Sequence, residues 1–178
     1  MVRKVILYIS MSLDGFIATK EDDISWLSSM EKEGEDYGYS AMSERIDTYI
    51  IGRITYEVVL ELTGGHFPQA EKYDCYVLTR QERFNENGIQ FYNGAIEDLI
   101  QALKKQEGKD IYCDGGGQIV KLLLEKNLID EFIISIIPII LGDGKRLFLG
   151  QAQQIPLQLV ESTTFDTGLV QLKYIRNA

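Results

Sequence analysis

The stretch Tyr49-Ile50-Ile51-Gly52-Arg53-Ile54-Thr55-Tyr56-Glu57 sets the architecture of the chain. Tyr49, Ile50 and Ile51 are β-branched or aromatic and read as the end of a buried strand. Gly52 breaks it. Tyr56, Val59, Leu60 and Thr63 then recur at helical spacing, with Thr55 at the helix start. The unit is strand, glycine turn, helix. A helix N-terminus carries unpaired N–H groups and the positive end of its dipole, so it suits a phosphate. Gly52 allows a ligand close to the backbone, and Arg53 adds a permanent planar cation. The plainer reading makes Gly52 a tight turn and Thr55 an ordinary N-cap.

Working outward, the 178 residues suffice for one domain, 1–178, with a sizeable core. Hydrophobic residues are 45% and charged residues 25%, as in ordinary globular proteins. Lys+Arg 18 against Asp+Glu 27 leaves a net charge of −9. That balance argues against nucleic acid or an anionic membrane as a partner. An anionic small ligand would need a local cluster of Arg or Lys. Cys75 and Cys113 fall in predicted strands and make no CxxC pair, so they read as buried free thiols in a reducing compartment. His66, the single histidine, lies beside Gly64, Gly65 and Pro68 in a predicted loop. A protein metal site or a Ser/His/Asp triad built on it is disfavoured. The N-terminus runs directly into Lys4-Val5-Ile6-Leu7-Tyr8-Ile9, a first strand without signal-peptide features. No apolar run approaches membrane-spanning length. The expectation is a cytoplasmic protein.

Strands are predicted at 4–10, 48–51, 74–78, 89–92, 111–113, 131–138, 157–164 and 169–175. Helices are predicted over 35–46, 55–62, 96–106 and after Gly117. Alternating strands and helices followed by a final strand pair give an α/β fold. Its central sheet is mostly parallel and flanked by helices, with antiparallel strands at one side.

Two strand–glycine–helix turns occur, at 51–55 and 113–118, where ligands sit in open α/β sheets. Asp114-Gly115-Gly116-Gly117-Gln118 places three residues without Cβ before a helix, for a ligand or for close helix–strand packing. The G-x-G-x-x-G fingerprint fails at Val120, and no Walker A motif is present. Thr79 and Arg80 follow a third strand and offer a hydroxyl and a guanidinium to a phosphate ester. Asp36 stands among Tyr37 and Tyr39. A carboxylate in an apolar pocket has a raised pKa and can hold a proton near neutrality. The alternative makes Asp36 a helix cap beside Glu35.

Five motifs in order carry a resemblance: Ser12-Leu13-Asp14-Gly15-Phe16-Ile17-Ala18, Ile51 to Glu57, Asp114-Gly115-Gly116, Leu128-Ile129-Asp130-Glu131, and Pro138 to Gly144. Together they resemble the dihydrofolate-reductase-like superfamily. The nearest likeness is to the reductase domain of bacterial bifunctional riboflavin-biosynthesis deaminase–reductases and its stand-alone relatives. The resemblance implies NADPH and hydride transfer to a small nitrogen heterocycle. It implies that Gly52, Arg53 and Thr55 hold the pyrophosphate side, and Thr79 and Arg80 the 2′-phosphate. Gly115, Gly116, Gly117 and Gln118 then pass the pyrophosphate and nicotinamide ribose, and Ala18 borders the nicotinamide. Asp36 corresponds in position to the folate-reductase acid, with Trp26 and Tyr39 beside the substrate. Asp114 corresponds to the acid of the riboflavin-pathway reductases. Tyr8 stands where those enzymes often have lysine, and Phe16 where they have a polar residue, which argues against a phosphoribosyl substrate. The zinc-deaminase signature is absent. The resemblance also implies a homodimer across the apolar run Phe132 to Ile137. The rival reading is an NADPH-binding homodimer without turnover.

Overall fold

The computed structural model describes residues 2–150 and 153–177. Its first strand, β1 (Val5–Ser12), is the centre of the sheet. It is followed by β2 (Phe16–Ala18), α1 (Tyr39–Glu44), β3 (Ile46–Gly52), α2 (Arg53–Leu62) and β4 (Asp74–Leu78). Next come β5 (Ile89–Tyr92), α3 (Ile96–Lys104), β6 (Asp110–Gly115), α4 (Gly117–Glu125) and β7 (Glu131–Ile137). The chain ends in β8 (Lys145–Arg146), β9 (Leu157–Thr164) and β10 (Val170–Arg176). The eight-stranded sheet has the order β5-β4-β3-β6-β1-β7-β10-β9. The six strands from β5 to β7 run parallel, and β10 is antiparallel to both neighbours. The mostly parallel sheet with antiparallel C-terminal strands is the architecture expected from the sequence.

Residue alternation along the strands builds two cores. On one face Val5, Leu7, Ile50, Ile111 and Cys113 pack under the apolar stripes of α3 and α4. On the other, Ile6, Tyr49, Ile51, Tyr112 and Ile133 meet Met42 of α1 and Tyr56 of α2. Both cysteines are buried and unpaired, and burial pushes each thiol up to about 12. Such thiols are inert packing groups. His66 is exposed in its loop, 3.2 Å from Glu71. Among the described residues no helix is long and apolar enough to cross a membrane, and no group of three His, Cys, Asp or Glu side chains could hold a metal ion.

One predicted element is much shorter than expected. The helix over 35–46 is α1, Tyr39–Glu44 only. Tyr37 and Gly38 both take positive φ, 55° and 83°, which no helix tolerates. Asp36 therefore stands before the helix, not within it.

The amino ends of the strands are tied by buried ions. Glu131 is 3% exposed and receives Arg45 through two bonds, 2.7 and 3.0 Å, with Lys173 at 3.3 Å. Burial alone would push this carboxyl up. The Arg45 and Lys173 charges overcome that and hold it below the usual glutamate range. Arg45→Met should therefore remove two charge-assisted bonds from a buried carboxylate that keeps Lys173, and cost about 1.5–3 kcal/mol at neutral pH. A depressed folded-state pKa supplies stability above the unfolded value, lost as pH falls through the folded one. Urea titrations should accordingly show the mutant and parent converging in strong acid. A constant difference at all pH values would place the loss in packing instead.

Candidate active site

The carboxyl ends of β4, β3, β6 and β1 lie side by side in that order. Each delivers one of the segments singled out in the sequence: Thr79–Arg80, Gly52–Thr55, Asp114–Gln118 and, through the turn after β1, Ile17–Ala18. Three strand spacings make this row about 14 Å long.

Two turns at its centre are joined directly. The Gly116 N–H donates to Thr55 Oγ1 at 3.0 Å. Thr55 is thus no N-cap, as the plainer sequence reading had it. It is the third residue of α2, whose N-cap is Gly52. Neither α2 nor α4 has a side chain hydrogen-bonded over its N-terminus. Two uncapped helix ends therefore converge, each with unpaired N–H groups. Gly115 has φ +95°, which a side chain would strain, and the Gly115–Gly116 peptide is cis. A Cβ on Gly116 would come within 3.2 Å of Thr55 Oγ1 and 3.6 Å of Ile17 Cδ1. At Gly52 it would meet Ile119 at 2.9 Å, and at Gly117 the backbone of Arg146. Close packing thus explains Gly52 and Gly117 at least as well as ligand approach does.

Other expected residues take these places. Arg53 is chelated by Glu57 through 2.8 and 2.6 Å bonds, so its charge is locally balanced. Thr79 accepts from the Gln81 N–H at 3.1 Å. Arg80 is exposed, and among the described residues it makes no ion pair. Gln118 is exposed on the first turn of α4. Ala18 is buried and pairs with Lys145 of β8. The loop bearing β8 was not recognised from sequence as part of this region. It is held there by Asp14, which accepts from Leu141 and Gly142 N–H at 3.1 and 2.7 Å.

Beyond the β1 end of the row opens a cleft of about 570 Å³. Tyr8 and Ser10 of β1, Ser135 and Ile137 of β7 and the segment 27–37 line it. Asp36 is on its wall. The expectation of a raised pKa there is wrong. Asp36 is exposed; bonds from Ser40, then from the Gly38 N–H, hold it below the usual carboxylate range. The capping alternative comes nearer, although the N-cap is Gly38 and Asp36 stands two residues before it, accepting from the Ser40 N–H of the first turn. Trp26 sits in the short 3-10 turn Ser25–Met30, whose Leu27 and Met30 line the cleft while Trp26 does not. Tyr39 stands behind the wall, its ring 6.0 Å from that of Tyr8.

Asp114 has the environment that Asp36 lacks. Burial raises its pKa, against the hydrogen bonds of Tyr49 and Tyr112. Tyr112 Oη lies 2.7 Å from Asp114 Oδ1. Tyr112 and Asp114 are two apart on β6 and share a face, and Tyr49 is the cross-strand partner of Tyr112. That alternation was the available signal for this group. The Tyr8 ring is 6.5 Å from that of Tyr112, so the acid lies just behind the cleft wall.

A model of the RibD C-terminal domain family matches residues 3–171. The chain belongs to that family. It is 40% identical to YwjB of Bacillus subtilis over 99% of both chains, and 33% identical to YyaP of the same organism over 97% of this chain and 94% of that one; both are described as uncharacterized. A putative riboflavin biosynthesis protein from Shewanella superposes with TM-score 0.89 at 29% identity, covering 98% of this chain and 99% of that one. A Thermotoga maritima deaminase/reductase gives TM-score 0.74 at 16% identity, over 98% of this chain and 57% of that one. The dihydrofolate reductase of Enterococcus faecalis, complexed with NADP(H), gives 0.68 at 15%, covering 98% of this chain and 97% of that one. The fold is dihydrofolate-reductase-like, as the sequence motifs implied.

The Thr55–Gly116 bond is the joint of the site. Thr55→Val should leave a backbone N–H without its acceptor and cost about 1–3 kcal/mol, while Thr55→Ser stays near neutral. Urea unfolding measures the cost. Faster exchange of the Gly116 amide in the valine variant alone would locate it.

Proposed function

We propose that this chain is an NADPH-dependent reductase of a small nitrogen heterocycle, of the riboflavin-pathway or dihydrofolate type. One observation carries the reading. The row of four strand ends leads from Arg80, without an ion pair among the described residues, past two uncapped helix N-termini, to the mouth of a cleft. An extended dinucleotide laid along it has its 2′-phosphate at Thr79–Arg80 and its pyrophosphate at Gly52–Thr55 and Gly115–Gln118. The nicotinamide then lies at Ala18, facing the cleft. The cofactor supplies the hydride when bound. The chain's own residues position the two reactants, exclude water and supply a proton. Membership of the RibD C-terminal domain family supports this reading, as does the likeness to a reductase complexed with NADP(H).

The cleft narrows the substrate. Its wall carries four carboxylates, Glu31, Glu33, Glu35 and Asp36, and one ammonium, Lys32. Lys32 is engaged by Asp166 at 2.9 Å. A phosphate ester there meets repulsion at short range on a protein of net charge −9. A neutral or cationic heterocycle does not. Asp36 is assigned here as an anchor for such a ring, not as the proton donor.

The sheet edge bears on assembly. The four helices cover the parallel strands, while β9 is exposed at seven of eight positions. Leu159 and Val160 are each 51% exposed. The run Phe132 to Ile137, where the dimer contact was expected, is interior to the sheet between β1 and β10, so a second copy is laid instead on β9 and β10, where it gives these exposed residues cover, and a homodimer is the assembly assigned here. Sedimentation as a monomer at micromolar concentration contradicts it.

Three outcomes test the function. NADPH oxidation should proceed with 5-amino-6-(ribosylamino)uracil, and the anionic candidates, its 5′-phosphate and dihydrofolate, should react more slowly. Tight NADPH binding without turnover on any of them would favour a binding protein. Arg80→Ala should weaken NADPH about ten- to a hundredfold at low salt and spare NADH, because a charge-assisted bond contributes roughly 1.5–3 kcal/mol. Arg53→Ala should weaken both cofactors alike. Fluorescence titration of each variant with each cofactor distinguishes the two roles, and equal losses at Arg80 would move the 2′-phosphate elsewhere.

A further inference from the structure

Ser135 interrupts the apolar run of β7, between Ile134 and Ile136, and is 2% exposed. In the parallel pairing of β1 with β7 it stands opposite Ser10. Registered residues of neighbouring strands share a face, about 5 Å apart. Both serines accordingly line the floor of the cleft, on the same face as Tyr8 and Ile137.

The other polar groups of this floor are spent on one another. The Tyr37 carbonyl accepts from Tyr8 Oη and from Gln171 Nε2, both at 3.0 Å, which fills its two lone pairs. The second hydrogen of the Gln171 amide goes to Ser135 Oγ at 3.1 Å. Ser135 is thereby held as an acceptor from behind, and its own hydrogen finds no acceptor among the described residues. Ser10 makes no side-chain hydrogen bond among them. A hydroxyl buried with its hydrogen unpaired costs free energy, and a ligand that accepts that hydrogen recovers it. We propose that Ser135 and Ser10 form a subsite that reads the cyclic-amide edge of a neutral ring. Ser135 donates to a ring carbonyl oxygen, and Ser10 accepts from the ring N–H beside it.

The surroundings suit a flat neutral ring. Ile137 and Leu169 give apolar surface next to the serines, and the strands bring no charge to the cleft. Its four carboxylates and Lys32 all belong to segment 27–37. The floor thus reads the amide edge, and the acidic wall favours an amino substituent elsewhere on the ring. The subsite is a statement about binding. It deepens the reductase proposed above and rests on that reading only for what happens to the ring. Gln171 is a positioning residue, acting through the Ser135 hydroxyl.

NMR titration of the free protein with 6-aminouracil and with 4-aminopyrimidine, at a pH where both are neutral, tests the subsite without any cofactor. The two rings share the amino group, and only the first has the amide edge. The parent should prefer 6-aminouracil by roughly tenfold, the worth of two hydrogen bonds. Ser135→Ala should weaken 6-aminouracil roughly two- to tenfold, and so should Ser10→Ala. Both variants should hold 4-aminopyrimidine as the parent does, which shows the cleft intact. Gln171→Met should lower the preference while Ser135 is present and have no further effect in the Ser135→Ala background. Equal weakening of both rings by Ser135→Ala places that serine in packing and overturns the proposal. A parent that binds neither ring, or prefers neither, overturns it too. If 6-aminouracil is held as stated but no heterocycle is reduced, the reductase reading fails and the subsite stands. If NADPH is oxidised with 5-amino-6-(ribosylamino)uracil while Ser135→Ala leaves its KM and the ring preference unchanged, the subsite falls and the reductase reading stands.

Discussion

One hydrogen bond, from the Gly116 N–H to Thr55 Oγ1, fixes how the two halves of this sheet present their ends. The turns it joins come from β3 and β6, neighbours in space, with the bonded residues 61 apart in sequence, and each opens a helix. Because those helices cover opposite faces of the sheet, their N-termini meet only at its carboxyl edge. The dipoles of both point there. A buried side-chain cap at either end would have filled the space with a hydroxyl or carboxylate, but Gly52 and Gly116 occupy the N-cap positions and leave the N–H groups unclaimed.

The two edges of the sheet divide the work. At the amino ends, Glu131 with Arg45 and Arg3 with Asp47 and Thr48 hold the strands in register through buried polar contacts. Groups so thoroughly paired have no capacity left for a ligand. At the carboxyl ends, polar groups among the described residues are left with open valence: the helix N–H groups and Arg80. A stable base and an under-satisfied top are what a binding site on an open parallel sheet requires.

The strands, though not their order in the sheet, were legible because their apolar runs are long and each is bounded by glycine or polar residues. The two glycine turns were legible for the same reason. Helix boundaries and side-chain roles were less so. Tyr39, Met42 and Ile46 keep helical spacing, yet Tyr37 and Gly38 turn left-handed just before them, and periodicity carries no information about φ. Asp36 was read as an acid in an apolar pocket because tyrosines flank it in sequence. Whether a carboxylate is buried depends on residues far along the chain, and here backbone N–H groups two and four residues ahead claim it. Asp114 is half-buried and comes nearer to that environment, through Tyr49 across the strand pair and Tyr112 two residues before it. The loop 141–147 was recognisable as a motif, but its seat against Gly117 and Ala18 depends on contacts no local pattern encodes.

The central claim is that one extended dinucleotide occupies the row from Arg80 to Ala18 and leaves the cleft for the substrate. Amide hydrogen exchange with and without NADPH tests it most directly. The account predicts added protection at residues 52–55, 79–81 and 115–119, with segment 27–37 unchanged. Protection confined to 27–37, or none at the glycine turns under saturating NADPH, would contradict it.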